Sequence, residues 1–131
     1  MSNKDIITDW FASIDANNFE KNAAMLAEDH MFYNPMMPGP ANKEQHLELI
    51  KATTGALTGK HIIWRTHSDG DFAIVEAQWK GTHTGEFNGI PATGKPVQFT
   101  FIDVMEIKDG KISNEHMELN PMAIMAQIGA M

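Results

Sequence analysis

The sequence predicts an α+β domain in which helices come first, strands follow and a short helix closes the chain. Two observations carry this. Apolar residues recur at three- and four-residue spacing before Thr53, and from His61 onward the period switches to two. The strand half is also punctuated twice by Asp-Gly, at Asp69-Gly70 and Asp109-Gly110, a dipeptide suited to tight hairpins because both positions adopt positive φ. A chain of 131 residues has room for one domain over 1–131.

The elements follow in order. Ile6, Ile7, Trp10, Phe11 and Ile14 form one face of a first helix. Asn17 and Asn18 break it, and either caps a second helix carrying Phe19, Ala23, Met25 and Leu26. Met36–Pro40, with Pro38, Gly39 and Pro40, reads as a loop. A third helix runs roughly from Asn42 to Thr53, with Leu47 and Ile50 inward. Strands are expected at about His61–His67, Phe72–His83, Val97–Ile107 and Lys111–Asn120, with Gly85–Gly94 as a long loop or bulged crossing. Asn120 before Pro121, ahead of Met122, Ile124, Met125 and Ile128, is the start of a last helix.

Composition narrows the function classes. Hydrophobic residues at 43% suffice for a buried interior. A net charge of −7 without a Lys/Arg cluster argues against nucleic acid and anionic membranes as partners. No apolar stretch is long enough to span a bilayer, and the polar start of the chain does not read as a secretory signal. The absence of cysteine excludes disulfides, thiolate zinc sites and cysteine nucleophiles, and a cytoplasmic protein is expected. The ten methionines suit either ordinary packing or a soft pocket lining.

The turns fix register, and register fixes which side chains meet. If Asp109-Gly110 is a two-residue turn, Ile107 faces Ile112, Met105 faces Asn114, Asp103 faces His116, Phe101 faces Glu118 and Phe99 faces Asn120. The same rule in the first hairpin pairs Ile62 with Ala77 and Trp64 with Val75. Trp79, Gly81 and His83 then continue the apolar face, with Arg65, His67, Glu76, Gln78 and Lys80 on the wetter one. Asp103 is a lone carboxylate in the apolar row Val97, Phe99, Phe101, Met105 and Ile107. Burying it unpaired is costly or raises its pKa. A His116–Asp103 pair is a plausible acid/base unit, and equally a buried pair satisfying itself. His83, flanked by Gly81 and Gly85, marks either a close approach to a ligand or a bulged strand end. His30, His46, His61 and His67 are expected at the surface. Asp103, His116 and Glu118 are the only plausible metal donor set, and they lack a metal-binding framework, so no metal or other cofactor is expected.

The run Trp79-Lys80-Gly81-Thr82-His83-Thr84-Gly85-Glu86-Phe87-Asn88-Gly89-Ile90-Pro91-Ala92-Thr93-Gly94-Lys95 resembles the signature of SnoaL-like polyketide cyclases, often labelled ester cyclases. Asp109-Gly110-Lys111-Ile112 and Gln127-Ile128-Gly129 resemble it too, and His30-Met31-Phe32-Tyr33-Asn34-Pro35 resembles the family's first short strand. The resemblance implies the cone-shaped nuclear transport factor 2-like fold, with N-terminal helices on a curved, mostly antiparallel sheet enclosing a pocket. It also implies cofactor-free aldol ring closure, with an aspartate base at the end of the last strand. That position is Asn120 here, and the tryptophan usual four residues earlier is His116.

The reading is therefore a pocket for a small, largely apolar, oxygenated molecule, with enolisation or aldol-type chemistry moved by His116 and Asp103. His83 or Asn120 would polarise a carbonyl, and Trp64, Trp79, Phe99, Phe101 and Tyr33 would form walls. The alternative is a non-catalytic ligand-binding or dimerisation module of the same fold. Epoxide hydrolysis ranks below both, because it needs an Asp–Arg–Asp set and Arg65, the only arginine, falls on the wetter face. A homodimer is expected.

Overall fold

A computed structural model describes residues 2–130. α1 (Asn3–Asp15) starts where the Ser2 hydroxyl accepts the Asp5 N–H, and it buries Ile6, Ile7, Trp10 and Phe11. α2 (Phe19–Met25) is capped by Asn18. β1 (Leu26–Tyr33) and the two-residue β2 (Ala41–Asn42) precede α3 (Lys43–Ala56), which opens with an Asn42–Gln45 capping box. Then come β3 (Leu57–Asp69), β4 (Phe72–His83), β5 (Pro96–Lys108), β6 (Lys111–Leu119) and α4 (Pro121–Gln127). The strands form one open sheet in the order β2-β1-β6-β5-β4-β3, antiparallel except where β1 runs parallel to β6. α1 packs on β3 and α3 on β1, so both helices cover the same face of the sheet. β2 was not legible in the alternation.

Two register expectations need correction. The second hairpin does turn at Asp109-Gly110, with φ of 52° and 74°, and Ile107 does pair with Ile112. The register then slips, so that Glu106 pairs with Asn114, Val104 with His116 and Asp103 with Met117. Ser113 is the extra residue, and its hydroxyl donates to Glu106 Oε1 at 2.7 Å. Because side chains alternate, this slip turns Glu115 inward and His116 outward. The first hairpin turns at Gly70-Asp71 rather than Asp69-Gly70, pairing Asp69 with Phe72. A further irregularity between Ile63 and Arg65 pairs Ile63 with Ala77 and turns Trp64 to the outside, where it is 53% exposed.

Between β4 and β5 the crossing segment makes its own turn. Phe87 and Ile90 exchange backbone hydrogen bonds around Asn88 and Gly89, both at positive φ. His83 ties this segment down. Its N–H donates to the Lys95 carbonyl and its own carbonyl accepts from Gly94.

Candidate active site

The inner face of the sheet and helices α1 and α3 enclose a cavity of about 300 Å³. Its walls are mainly apolar. Trp10 and Phe11 come from α1, Phe32 from β1, Trp79 from β4, and Phe99 and Phe101 from β5. Trp79 stacks on Phe99 at 5.7 Å, and it lies over Gly59 and Gly81, where a Cβ would stand within 2.7 Å of its ring. Trp79, Phe99 and Phe101 are thus the expected walls that the structure brings together. Trp64 and Tyr33 are not: both are exposed and neither lines the cavity.

Two polar pairs interrupt this surface. The first is Asp15 and His61, both lining the cavity. Asp15 Oδ1 accepts the His61 Nδ1–H at 2.6 Å, and Oδ2 accepts the His61 backbone N–H at 2.9 Å. Two bonds to one carboxylate fix the ring, leaving Nε2 as the nitrogen free to meet a ligand. Phe11 and Phe101 hold the imidazole at 4.9 and 5.8 Å.

The second pair is Asp103 and Glu115. Asp103 is fully buried and Glu115 nearly so, and Glu115 reaches the cavity lining. Among the described residues, no group donates to either Asp103 oxygen or to Glu115 Oε1. The two carboxyls can therefore bond to each other only when one of them carries a proton. Burial pushes Asp103 up to about 6, against the smaller pull of that bond and of His61. Burial, then the Asp103 charge, pushes Glu115 well above the usual carboxylate range. The pair behaves as one unit holding a shared proton at neutral pH.

Behind Glu115 lies a buried chain of two histidines, contrary to their expected surface positions. The Ile112 carbonyl can only accept, so His30 Nδ1 donates to it at 2.9 Å. His30 Nε2 then accepts the His46 Nδ1–H at 2.9 Å. His46 Nε2 faces Glu115 Oε1 at 3.9 Å. Desolvation pushes His46 down to about 3 and lowers His30 as well, so both rings are neutral at pH 7. His30, His46 and Glu115 also bring three metal-type donor atoms within 4.8 Å, although His30 Nε2 is already engaged by His46.

The other residues expected at the site lie elsewhere in the fold. His116 stands on the outer face, hydrogen-bonded to Glu118 at 2.8 Å, so the proposed His116–Asp103 pair does not form. That also dissolves the only metal set considered from sequence. Asn120 caps α4, accepting the Met122 N–H at 3.1 Å, and does not line the cavity. His83 is buried outside the lining, and its Nδ1 meets Thr93 Oγ1 at 2.9 Å, pinning the crossing segment. His67 is exposed as expected. Arg65 sits on the outer face, its Nε 2.7 Å from Glu76, and leaves no guanidinium in the cavity.

An open sheet, helices on one face and a mainly apolar cavity reached by Asp15, His61 and Glu115 define a protein of the α+β class with an interior cavity. The chain belongs to the SnoaL-like polyketide cyclase family, which it matches over residues 4–128. Among curated proteins no relative by sequence is found. The fold is shared with IdmH of Streptomyces antibioticus, described as a candidate polyketide cyclase, at 22% identity and a TM-score of 0.85 over 96% of this chain and 97% of that one. AclR of Streptomyces galilaeus, described as a candidate hydroxylase, shares it at 16% identity and 0.87 over 98% and 96%. An epoxide hydrolase of Mycobacterium tuberculosis, described as LEH-like, shares it at 16% and 0.74 over 94% and 86%. The nuclear transport factor 2-like α+β fold expected from sequence is the fold found. Among the described residues, no helix is long and apolar enough to cross a membrane.

Proposed function

We propose that the single domain, 1–131, binds a small, largely apolar, oxygenated molecule and catalyses cofactor-free proton transfer at a carbon beside a carbonyl, of the aldol-cyclisation or isomerisation type. The observation that carries this reading is the pair of buried carboxyls, Glu115 and Asp103, left without N–H or O–H donors at the edge of an apolar cavity. A carboxyl pair raised toward neutral pH is a stronger base than an exposed carboxylate, and a base works best with a pKa near the working pH. Glu115, the member of the pair that reaches the cavity, takes the α-proton as it passes the shared proton to Asp103. His61, as the imidazolium whose Nδ1–H is held by Asp15, offers Nε2–H to the carbonyl oxygen as charge develops there. The resulting enol carbon attacks a second carbonyl in ring closure, or is reprotonated at another carbon in isomerisation.

His61 and Glu115 thus take the roles first given to His83 or Asn120 and to His116. An acidic, cysteine-free chain fits the cytoplasm. On the outer face, Ile62, Trp64, Phe72, Ile74, Ile102 and Val104 are exposed together, an apolar surface that fits a homodimer packed sheet to sheet.

Phenols test the reading, since a phenol presents an enol-like oxygen on an apolar ring. Wild type is expected to bind them, and His61→Gln to bind about 10- to 100-fold more weakly, the usual range for losing a charge-assisted hydrogen bond. Equal affinity in the two proteins removes His61 from the site. If phenols do not bind to wild type, the pocket reading itself fails.

A further inference from the structure

His30 is buried, polar and outside the cavity lining, and the proton-transfer steps give it nothing to do. We propose that His30 is a positioning residue for Glu115. By accepting the Nδ1–H of His46, it locks His46 in the tautomer whose bare Nε2 faces Glu115. The carboxyl is thereby denied a donor that would stabilise its charge. The inference rests on the assignment of Glu115 as the base.

The geometry runs in one direction. The Ile112 carbonyl fixes the proton on His30 Nδ1, at 2.9 Å. A neutral imidazole with Nδ1–H has Nε2 as an acceptor, so the 2.9 Å contact to His46 Nδ1 must be donated by His46. A neutral His46 donating from Nδ1 has no hydrogen on Nε2. That lone pair faces Glu115 Oε1 at 3.9 Å, an atom that no group among the described residues donates to. Phe32 stacks on His46 at 3.8 Å and 4°, and the His30 ring, 5.0 Å away, lies within 12° of the His46 plane, so the ring is held in plane. A lone pair facing a carboxylate is repulsive, and one facing a carboxylic acid is not. The arrangement therefore favours the protonated form of Glu115 and raises its appetite for a proton.

The ionisable groups around the pair come from every neighbouring element. Asp103 faces Glu115 from β5, His46 from α3 and His30 from β1. His61 and His116 act on Asp103, and Lys43 and Asp29 act on His30 with opposite signs. Among these, only the His46 tautomer is switched by a residue outside the pocket.

Removing the acceptor frees the switch. In His30→Leu, His46 loses the partner for Nδ1–H and gains by moving its proton to Nε2, where Glu115 carboxylate accepts it. His30→Gln places an amide oxygen near the position of Nε2 and keeps the original tautomer. The test is NMR of the ligand-free protein, reading His46 by ¹⁵N shifts and Glu115 by titration of its side-chain ¹³C carboxyl. Wild type is expected to show unprotonated His46 Nε2. His30→Leu should show it protonated, with the Glu115 midpoint lower by at least ~1 pH unit, the scale of one new hydrogen bond to the charged form. His30→Gln should restore the wild-type midpoint. Protonated Nε2 in wild type overturns the inference, and that reading stands even if His30→Leu fails to fold. So does an unmoved Glu115 midpoint in a folded His30→Leu. Stoichiometric Zn²⁺ capture by wild type also overturns it, because a metal on His30 Nε2 breaks the bond to His46. If Glu115→Gln leaves turnover unchanged, the base assignment falls while the tautomer result stands, so the two failures are distinguishable.

Discussion

Asp103→Asn tests the electrostatics of the buried pair through stability alone. In the unfolded chain the Asp103 carboxyl titrates near 3.8, and burial in the fold pushes it up to about 6. The folded state therefore holds this proton more tightly. The stability it contributes is fully present below 3.8 and is lost as pH rises through about 6. At ~1.4 kcal/mol per pH unit, ionising this group inside the fold costs about 3 kcal/mol above that range. Asparagine has the same shape, never ionises, and can donate its amide N–H to Glu115. The variant should be more stable than wild type at pH 7.5 by up to about 3 kcal/mol, or roughly 10 °C in Tm for a chain of this size. The gain should shrink as pH is lowered through 6 toward 4. Burial of neutral His46 carries the opposite sign: its stability is present above 6.5 and lost as pH falls toward about 3. Wild type is thus partly compensated between pH 4 and 6, whereas the variant should gain stability steadily with pH across that interval. Urea unfolding of both proteins from pH 4 to 8 reads the difference. A variant less stable than wild type at pH 7.5, or a gain that grows on acidification, refutes the reasoning.

Three further perturbations probe the frame. Asn120→Ala removes the cap that Asn120 Oδ1 gives the Met122 N–H and should cost about 1 kcal/mol in chemical unfolding; unchanged stability contradicts the capping role. Gly81→Ala puts a methyl 2.6 Å from the Trp79 ring and should cost about 1–3 kcal/mol while weakening phenol binding, because that ring is a cavity wall. Ile102→Lys charges the outer apolar face and should convert a dimer to a monomer by sedimentation; a monomeric wild type would remove the dimer proposal.

The helices, the Asn120 cap, the span of β4 and the Asp109-Gly110 turn were legible because each is a local signal, while the choice of Asn18 over Asn17 as the α2 cap was not. The site was legible only in part, because it depends on register. Reading a uniform ladder from the turn placed His116 opposite Asp103, whereas one bulge residue, Ser113, puts Met117 there and turns Glu115 inward. A hint was present: Ile112, Met117 and Leu119 cannot share one face at period two, so an extra residue was needed between Ile112 and Met117. His30 alternates with Phe32 on β1, and His46 precedes Ile50 by four residues on α3. Both patterns face the core, but histidine's usual place at the surface outweighed them. His61 could not be assigned because its partner, Asp15, lies at the end of α1, and no local pattern joins a helix end to a distant strand.

Deuterium exchange measures the proposed proton transfer most directly. Cyclic and polyketide-like ketones that bind the protein would be held in D₂O and their α-protons followed by ¹H NMR. The account predicts that wild type speeds their loss over solvent, and that Glu115→Gln lowers the catalysed rate at least ~100-fold without abolishing binding. The catalysed rate should also fall as pH drops below about 6, when the carboxyl pair holds two protons. Ketones that bind in the pocket yet exchange no faster than in buffer would contradict it and leave a binding protein in place of an enzyme.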